Sequence, residues 1–335
     1  MQISLEQMHS TLLKLFLNYG FADAKATLLA RTFSESTLDG VNSHGINRVP
    51  LFIKYIREGI INIDAEAQLA GAFGLMERWD GHGGPGIVNA TKCTTRALEL
   101  AKNHGIGLVA LRNTNHWMRA GSYGWQAAEA GCMAIMFTNT TPNMPAWGGK
   151  ESRLGNNPLV IAIPRDGGHV VLDMAMSQYA FGKLNEYKLA GKKLPFAGGW
   201  DQHDQLTRDP EQIISTMRGL PIGFWKGSAL SMVLDMLAAV LSAGESTSSI
   251  ADKQMETGVS QVFICIDNAR FGDGSIRESV LRDIIEYTHR STPIAPGMRT
   301  YYPGEKTRIT RQKNLKEGMM VDDGIWEKVT ALAGD

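Results

Sequence analysis

The chain is poor in cysteine. It has three in 335 residues, Cys93, Cys132 and Cys265, far apart and with no CxxC pair among them. That pattern argues against a thiolate metal site or a disulfide framework and suits a reducing compartment. An excess of either charge is also missing. Lys+Arg and Asp+Glu both number 34, so the basic footprint that nucleic-acid binding leaves is not there. No long apolar run is present: the nearest approach, Ser231 to Leu241, is broken by Asp235 and falls short of the roughly 20 residues that cross a bilayer. The opening MQISLEQMHS carries acid and polar side chains where a secretory signal has a basic start and an apolar stretch. No HExxH or similar carboxylate-bearing pattern supplies a metal site. Hydrophobic residues make up 43% of the chain, enough for a sizeable buried core. The expectation is a cytoplasmic globular protein of one large or two ordinary domains that uses neither nucleic acid nor a membrane.

The first 70 residues have helical rhythm. Ser4 stands as a cap before Leu5, Met8, Leu12, Leu15 and Phe16, and Gly20 ends the run. A second run stops at Gly40, and Pro50 marks the first turn of a third helix. After about residue 70 the rhythm changes to short strand-like runs, GLVALRN, CMAIMFTN, LVIAIP, VVLDMAM and QVFICID, alternating with helices. The tail returns to helix in SVLRDIIEYTHRS and VDDGIWEKVTALAG, and the loop 196–210 reads as polar and exposed. This pattern predicts an α/β core with a sheet over residues 71–277, joined to a mainly helical domain built from residues 1–70 and 278–335.

Residues 81–86, GHGGPG, match G-x-G-x-x-G at Gly81, Gly83 and Gly86, with a helix after them and Glu99 at the spacing of a ribose-binding acid. Against a dinucleotide-binding loop stand the charged segment GLMERWD before it, a poor buried parallel strand, and Pro85, which removes an amide from the turn. The plainer reading is a glycine-rich turn leading into a helix.

The run 42–50, NSHGINRVP, carries the most chemistry. Imidazole titrates near neutrality and can give a proton to a carbonyl oxygen. Guanidinium offers a planar fork for a carboxylate. His44 and Arg48 share a face if this piece is helical, although the same pair also occurs on solvated helices. His116 follows the strand GLVALRN, at the C-terminal end where α/β proteins place ligands, and in RNTNHWMRAGSYGW it is flanked by Trp117, Met118 and Arg119. The strand-to-helix segments 172–182 and 220–236 are expected to leave backbone amides open to an anion, near Ala175 to Ser177 and at Trp225, Lys226 and Gly227. Asp173 and Asp235 read as a cap and a hydrogen-bonded acid. These residues leave open an oxidoreductase, a metal-dependent lyase or hydrolase using His44 and His116, and a non-catalytic binding protein.

The runs SHGINRVPLFIKYIREG, AKNHGIGLVALRNTNHWMRAGSYGWQAAEAG, NNPLVIAIP, LDMAMS and LPIGFWKGSALSMVLDML resemble the malate/L-lactate dehydrogenase-like family of NAD(P)-dependent oxidoreductases over nearly the whole chain. Within it the chain looks most like the subgroup that reduces 2,3-diketo-L-gulonate. The resemblance implies an α/β (α+β) fold distinct from Rossmann, with a mixed, largely antiparallel sheet flanked by helices, and a homodimer. It implies NADH, or NADPH, as cofactor, no metal, and a 2-oxoacid or sugar-acid substrate. His44 would be the proton donor, Arg48 the carboxylate holder and His116 a second acid/base group. The cofactor would meet Val170, Val171, Leu172, Asp173, Met174 and Ala175, then Trp225 and Lys226, then Gly304, Glu305 and Lys306. Malate, lactate or ureidoglycolate oxidation and cyclic imino-acid reduction are the alternatives in the same family. Two departures stand out: His116-Trp117-Met118-Arg119 where many relatives have a small His-Phe-Gly sequence, and PGEKTR where near relatives suggest Gly-His-Glu.

Overall fold

In the computed structural model, which describes residues 1–253, 255–270 and 272–334, three helices lead the chain. Ser4 caps the first, Leu5–Asn18, by accepting the Gln7 amide at 3.1 Å, as short polar residues do at helix starts. Its Met8, Leu12, Leu15 and Phe16 are fully buried and pack on Asp23–Leu38 and on the C-terminal helix Asp323–Ala333. The rings of Phe16, Phe21, Phe33 and Phe52 fill the centre, with centroids 5.4–6.3 Å apart. Each buried phenylalanine contributes about 1.5–3 kcal/mol relative to exposure. The two chain ends are tied together. Gln2 and Ile3 pair with Met320 and Met319 in a short antiparallel ladder, and the terminal amine donates to the Val321 carbonyl at 2.9 Å.

The main sheet has seven strands. Across it run Gln68–Phe73, Met76–Asp80, Ile106–Thr114, Val259–Asp267, Cys132–Thr138, Leu159–Ile163 and Val170–Met174. Five neighbouring pairs are antiparallel, and Met76–Asp80 lies parallel to Ile106–Thr114. Helices Gly86–His104 and Gly121–Glu129 cover one face and Trp225–Ser242 the other. Val259–Asp267 is therefore covered on both sides, which is why QVFICID shows no polar alternation. Trp225–Ser242 reaches the length and apolar composition of a membrane span, longer than the broken run visible in the sequence. Its inner side, with Ser231, Leu234 and Ala238, is buried against the sheet.

The glycine-rich turn corrects one expectation and supports another. GLMERWD does form a parallel strand, because buried Glu77 is neutralised by Arg96 at 2.7 Å and accepts the Trp79 indole hydrogen at 2.9 Å. Its turn, however, spends its own amides. Gly81 donates to Arg112, Gly83 to Asn113, Gly84 to Gly81, and His82 to the Asp80 carboxylate. Gly86 lies so near the loop after the next strand that a Cβ there would come within 2.2 Å of the His116 carbonyl oxygen. The glycines serve close packing of that loop.

Of the amides expected to be open after the strand VVLDM, near Ala175 to Ser177, that of Met176 is spent. Met176 donates to Asn156 at 2.7 Å and Gln178 to Leu220 at 2.7 Å, and the helix begins only at Phe181. At the other segment Lys226, Gly227 and Ser228 donate to Gly223, Ile222 and Phe224. Both segments are pulled into a bridge between Ser177 and Pro221, so neither presents a bare helix start.

Candidate active site

His44 and Arg48 sit on two consecutive 3-10 turns, Asn42–His44 and Ile46–Arg48, where a continuous α-helix was the condition for their sharing a face. Gly45 allows the break. A side chain there would meet Thr37 Oγ1 at 2.3 Å, and that same oxygen accepts the Ile46 amide at 2.9 Å. The turns are thereby clamped to helix Asp23–Leu38, and His44 faces a cleft of about 820 Å³.

The segment Asn115–Arg119 gives each of its residues a separate task. Asn115 Nδ2 donates to the carbonyls of Gly83 at 2.7 Å and Gly84 at 3.1 Å. His116 turns into the cleft. Trp117, 1% exposed, stacks on Tyr123, whose hydroxyl donates to the Trp117 carbonyl at 2.6 Å. Met118, at φ 64°, joins the helical core. Arg119 donates to the buried carboxylate of Asp39, which also accepts from Arg311 Nε at 2.6 Å.

The two imidazoles stack, centroids 5.7 Å apart and planes 23° off parallel. His44 Nδ1 meets Ser43 Oγ at 3.2 Å, and its Nε2 has no hydrogen-bond partner among the described residues. His116 Nδ1 accepts the Met118 amide hydrogen at 2.8 Å, which puts the proton of the neutral ring on Nε2. Burial lowers the His44 pKa to about 3, helped by His116, Arg48 and Arg119 and opposed by Glu256. Burial and then Arg48 lower His116 to about 3 as well. Both rings are therefore neutral near pH 7. The half-buried Arg48 guanidinium makes no hydrogen bond or ion pair among the described residues and is not part of the cleft wall, although its charge reaches both rings.

Of the expected cofactor residues, Val171, Leu172, Asp173 and Ala175 line the cleft, as do Gly304 and Lys306. The Val171 amide donates to the Pro303 carbonyl at 3.0 Å, joining the two stretches. Gly304, at φ 93°, caps helix Glu305–Glu317, and a Cβ there would press on Val171 and Trp125. Asp173 accepts the Gly121 amide at 2.8 Å and so caps the neighbouring helix. Val170 and Met174 lie on the same strand but not on the cleft wall. Glu305 turns inward, its carboxylate taken by Arg299 at 2.6 Å, His289 at 3.0 Å and the Tyr302 amide at 3.1 Å. Trp225 and Lys226 do not line the cleft, and Trp225 is 61% exposed.

Sequence reasoning passed over Glu256. It lies in the loop before Val259–Asp267, and its Oε1 is 3.8 Å from His116 Nε2. A single glutamate in a polar loop carries no pattern that would single it out. Among the described residues, no group of three or more His, Cys, Asp or Glu side chains is placed to hold a metal.

Residues 3–330 match the sequence model of the malate/L-lactate dehydrogenase family. The chain is 43% identical over 333 residues to the 2,3-diketo-L-gulonate reductase of Escherichia fergusonii, covering 99% of this chain and 100% of that one. It is 42% identical, with the same coverage, to the 2,3-diketo-L-gulonate reductase of Citrobacter koseri. Its fold superimposes on the malate dehydrogenase of Entamoeba histolytica with a TM-score of 0.94 at 26% identity, covering 100% and 97% of the two chains. The sulfolactate dehydrogenase of Methanocaldococcus jannaschii gives 0.87 at 28% identity, covering 100% and 97%. With a full-length sequence match, a shared fold and a histidine-lined cleft in agreement, the chain belongs to the malate/L-lactate dehydrogenase family.

Proposed function

We propose that this protein reduces the 2-oxo group of a sugar acid, 2,3-diketo-L-gulonate, to 3-dehydro-L-gulonate with a nicotinamide cofactor, NADH in preference to NADPH. The observation that carries this reading is Arg48, a cation without a partner among the described residues whose charge reaches two neutral imidazoles. A buried or half-buried guanidinium normally has an acid opposite it, and here that place suits a substrate carboxylate, which the fork would grip bidentately. When bound, the reduced nicotinamide supplies the hydride taken up by the carbonyl carbon. The cleft fits such a group. Its volume suits a dinucleotide end with a small acid, and Gly304 and Val171 form a close backbone wall that a side chain at 304 would fill.

His44, with Nε2 unengaged, is the group that gives a proton to the carbonyl oxygen. An anionic substrate against Arg48 offsets a cation that depresses the His44 pKa, so the substrate's own charge favours the protonated ring. Trp117 and Met118 shield that wall from water.

The reading includes a fold that is not of the Rossmann type, supported by the mostly antiparallel sheet and by a glycine turn whose amides are already used. It divides the chain into a helical unit, 1–70 with 278–335, and a cofactor-binding unit, 71–277, supported by largely separate hydrophobic cores, with Ile87, Val88 and Met118 lent by the second unit to the first. It also includes a homodimer in the cytoplasm. Trp225 and Lys226 begin a helix whose outer side exposes Met232, Val233, Met236 and Val240, a surface suited to a second copy.

The test is cofactor absorbance with purified protein, NADH or NADPH, and a panel of 2-oxoacids that includes 2,3-diketo-L-gulonate. Rapid oxidation with the sugar acid is expected, and His44→Asn should lower kcat by about 10²- to 10⁴-fold. Turnover on pyruvate, oxaloacetate or a cyclic imino acid alone would overturn the substrate. An unchanged kcat in His44→Asn would overturn the proton donor.

A further inference from the structure

His116 has both ring nitrogens turned toward protein. Nδ1 is taken by the Met118 amide at 2.8 Å, and Nε2–H faces Glu256 Oε1 at 3.8 Å. Glu256 is anchored by its other oxygen: Oε2 accepts the Thr141 amide at 3.2 Å and the Thr141 hydroxyl at 3.0 Å. Oε1 is shielded from solvent and has no hydrogen-bond partner among the described residues. A buried acceptor left without a donor costs about 1–3 kcal/mol, and more when it is charged. The donor facing it stands about 1 Å beyond a good charge-assisted bond. A small tilt of either side chain closes that gap.

We propose that Glu256 is a positioning residue for the reduction: it takes the His116 Nε2–H, holds that ring in one tautomer and one orientation against His44, and supplies negative charge to a cluster otherwise dominated by cations. This rests on the functional reading above.

The charged and titratable groups around the pair come from every neighbouring element. His44 and Arg48 lie on the two turns, and Tyr55 on the helix that follows, within reach of both Arg48 and Glu256. Arg119 is neutralised by Asp39. Asp173 is on the cleft wall, as are Lys183, paired with Glu186 at 2.6 Å, and Lys306, which lies over Tyr301. Among the described residues Arg48 has no counter-ion, and Glu256 is the carboxylate whose charge acts on His44 and raises its proton affinity. With its two nitrogens engaged, His116 keeps its proton throughout and gives none to the substrate. That task is left to His44, and Glu256 influences it through the stacked ring and through its field.

Two measurements test this on the full chain. The first needs no substrate. In histidine-labelled protein near neutral pH, a slowly exchanging imidazole N–H signal from His116 Nε2 is expected; Glu256→Ala should abolish it and Glu256→Gln should retain it, shifted. The second is the pH profile of kcat/KM for 2-oxoacid reduction. Glu256→Gln removes a charge that favours the protonated His44, so the alkaline limb should move to lower pH by about one unit. kcat should fall about tenfold while KM stays within about threefold, and Glu256→Asp should restore the limb part of the way. A melting temperature matching wild type separates these effects from unfolding, and near-isosteric Glu256→Gln serves if the alanine variant does not fold. An N–H signal absent from wild type, or unchanged in Glu256→Ala, would overturn the proposal. So would superimposable pH profiles for wild type and Glu256→Gln. A protein that turns over no 2-oxoacid would sink the functional reading, while the N–H signal would still decide the Glu256–His116 contact.

Discussion

Two clusters of charge lie close to one another and are treated in opposite ways. Around Asp39 the electrostatics are complete: a carboxylate that is 5% exposed accepts from Arg119 and Arg311, joining the end of helix Asp23–Leu38 to helix Glu305–Glu317 and to the loop that carries His116. Around Arg48 they are incomplete. Among the described residues the guanidinium has no counter-ion and one oxygen of Glu256 has no donor, and the two imidazoles that feel the guanidinium's charge are held neutral. Completed charge fixes a frame, whereas incomplete charge leaves room for a ligand. The difference supports the site proposed above without reference to any relative.

The contrast can be broken most forcefully at Asp39. Asp39→Ala leaves two arginines facing each other without their shared acid, one of them buried, and should cost about 3–5 kcal/mol of stability. Chemical denaturation measures it, and a loss below about 1 kcal/mol would mean that the frame is held some other way. Arg48→Ala should do the reverse. Stability should hold or rise slightly, while kcat/KM on the 2-oxoacid falls by the equivalent of about 1.5–3 kcal/mol, because a charge-assisted bond to the carboxylate is lost. Steady-state kinetics beside a melting curve separate the two outcomes, and a stability loss with intact kcat/KM would put Arg48 in the frame.

The smallest effect is the acid response. His44 and His116 have folded pKa values of about 3 against 6.5 unfolded, so between those limits the unfolded chain binds more protons. Their contribution to stability is fully present above pH 6.5 and is lost as pH falls toward 3, by up to about 1.4 kcal/mol per pH unit for each ring. Denaturation midpoints of wild type and the His44→Asn, His116→Asn variant across that window should converge as pH falls. Parallel curves would show that the rings are not held neutral.

Because apolar spacing reports burial directly, the helix Glu305–Glu317, which buries no apolar residue, escaped notice, while the three leading helices, Gly274–His289, Asp323–Ala333 and five of the seven strands were legible. The hairpin Gln68–Phe73 and Met76–Asp80 was not. Its inner residue Glu77 is polar, and only a partner distant in sequence, Arg96, makes it buriable. His44, Arg48 and His116 could be singled out because their chemistry is rare and their spacing is local. At Met176, Lys226 and Gly227 the expectation of open amides failed, since an amide's freedom depends on which carbonyl the folded loop brings to it. Glu256 was invisible for a related reason: its meaning comes entirely from Thr141 and His116, and neither is near it in the chain.

The short ladder between residues 2–3 and 319–320 has a consequence for synthesis. The helices that frame His44 bury their apolar faces against residues 319–333, so that part of the fold cannot close until nearly all 335 residues have been made. At about 5–20 residues per second, residues 1–57 wait roughly 15–55 s before residues 319–333 can cover their remaining apolar surface. Within this chain the turn that carries His44 is thus made well before the segment that seats it.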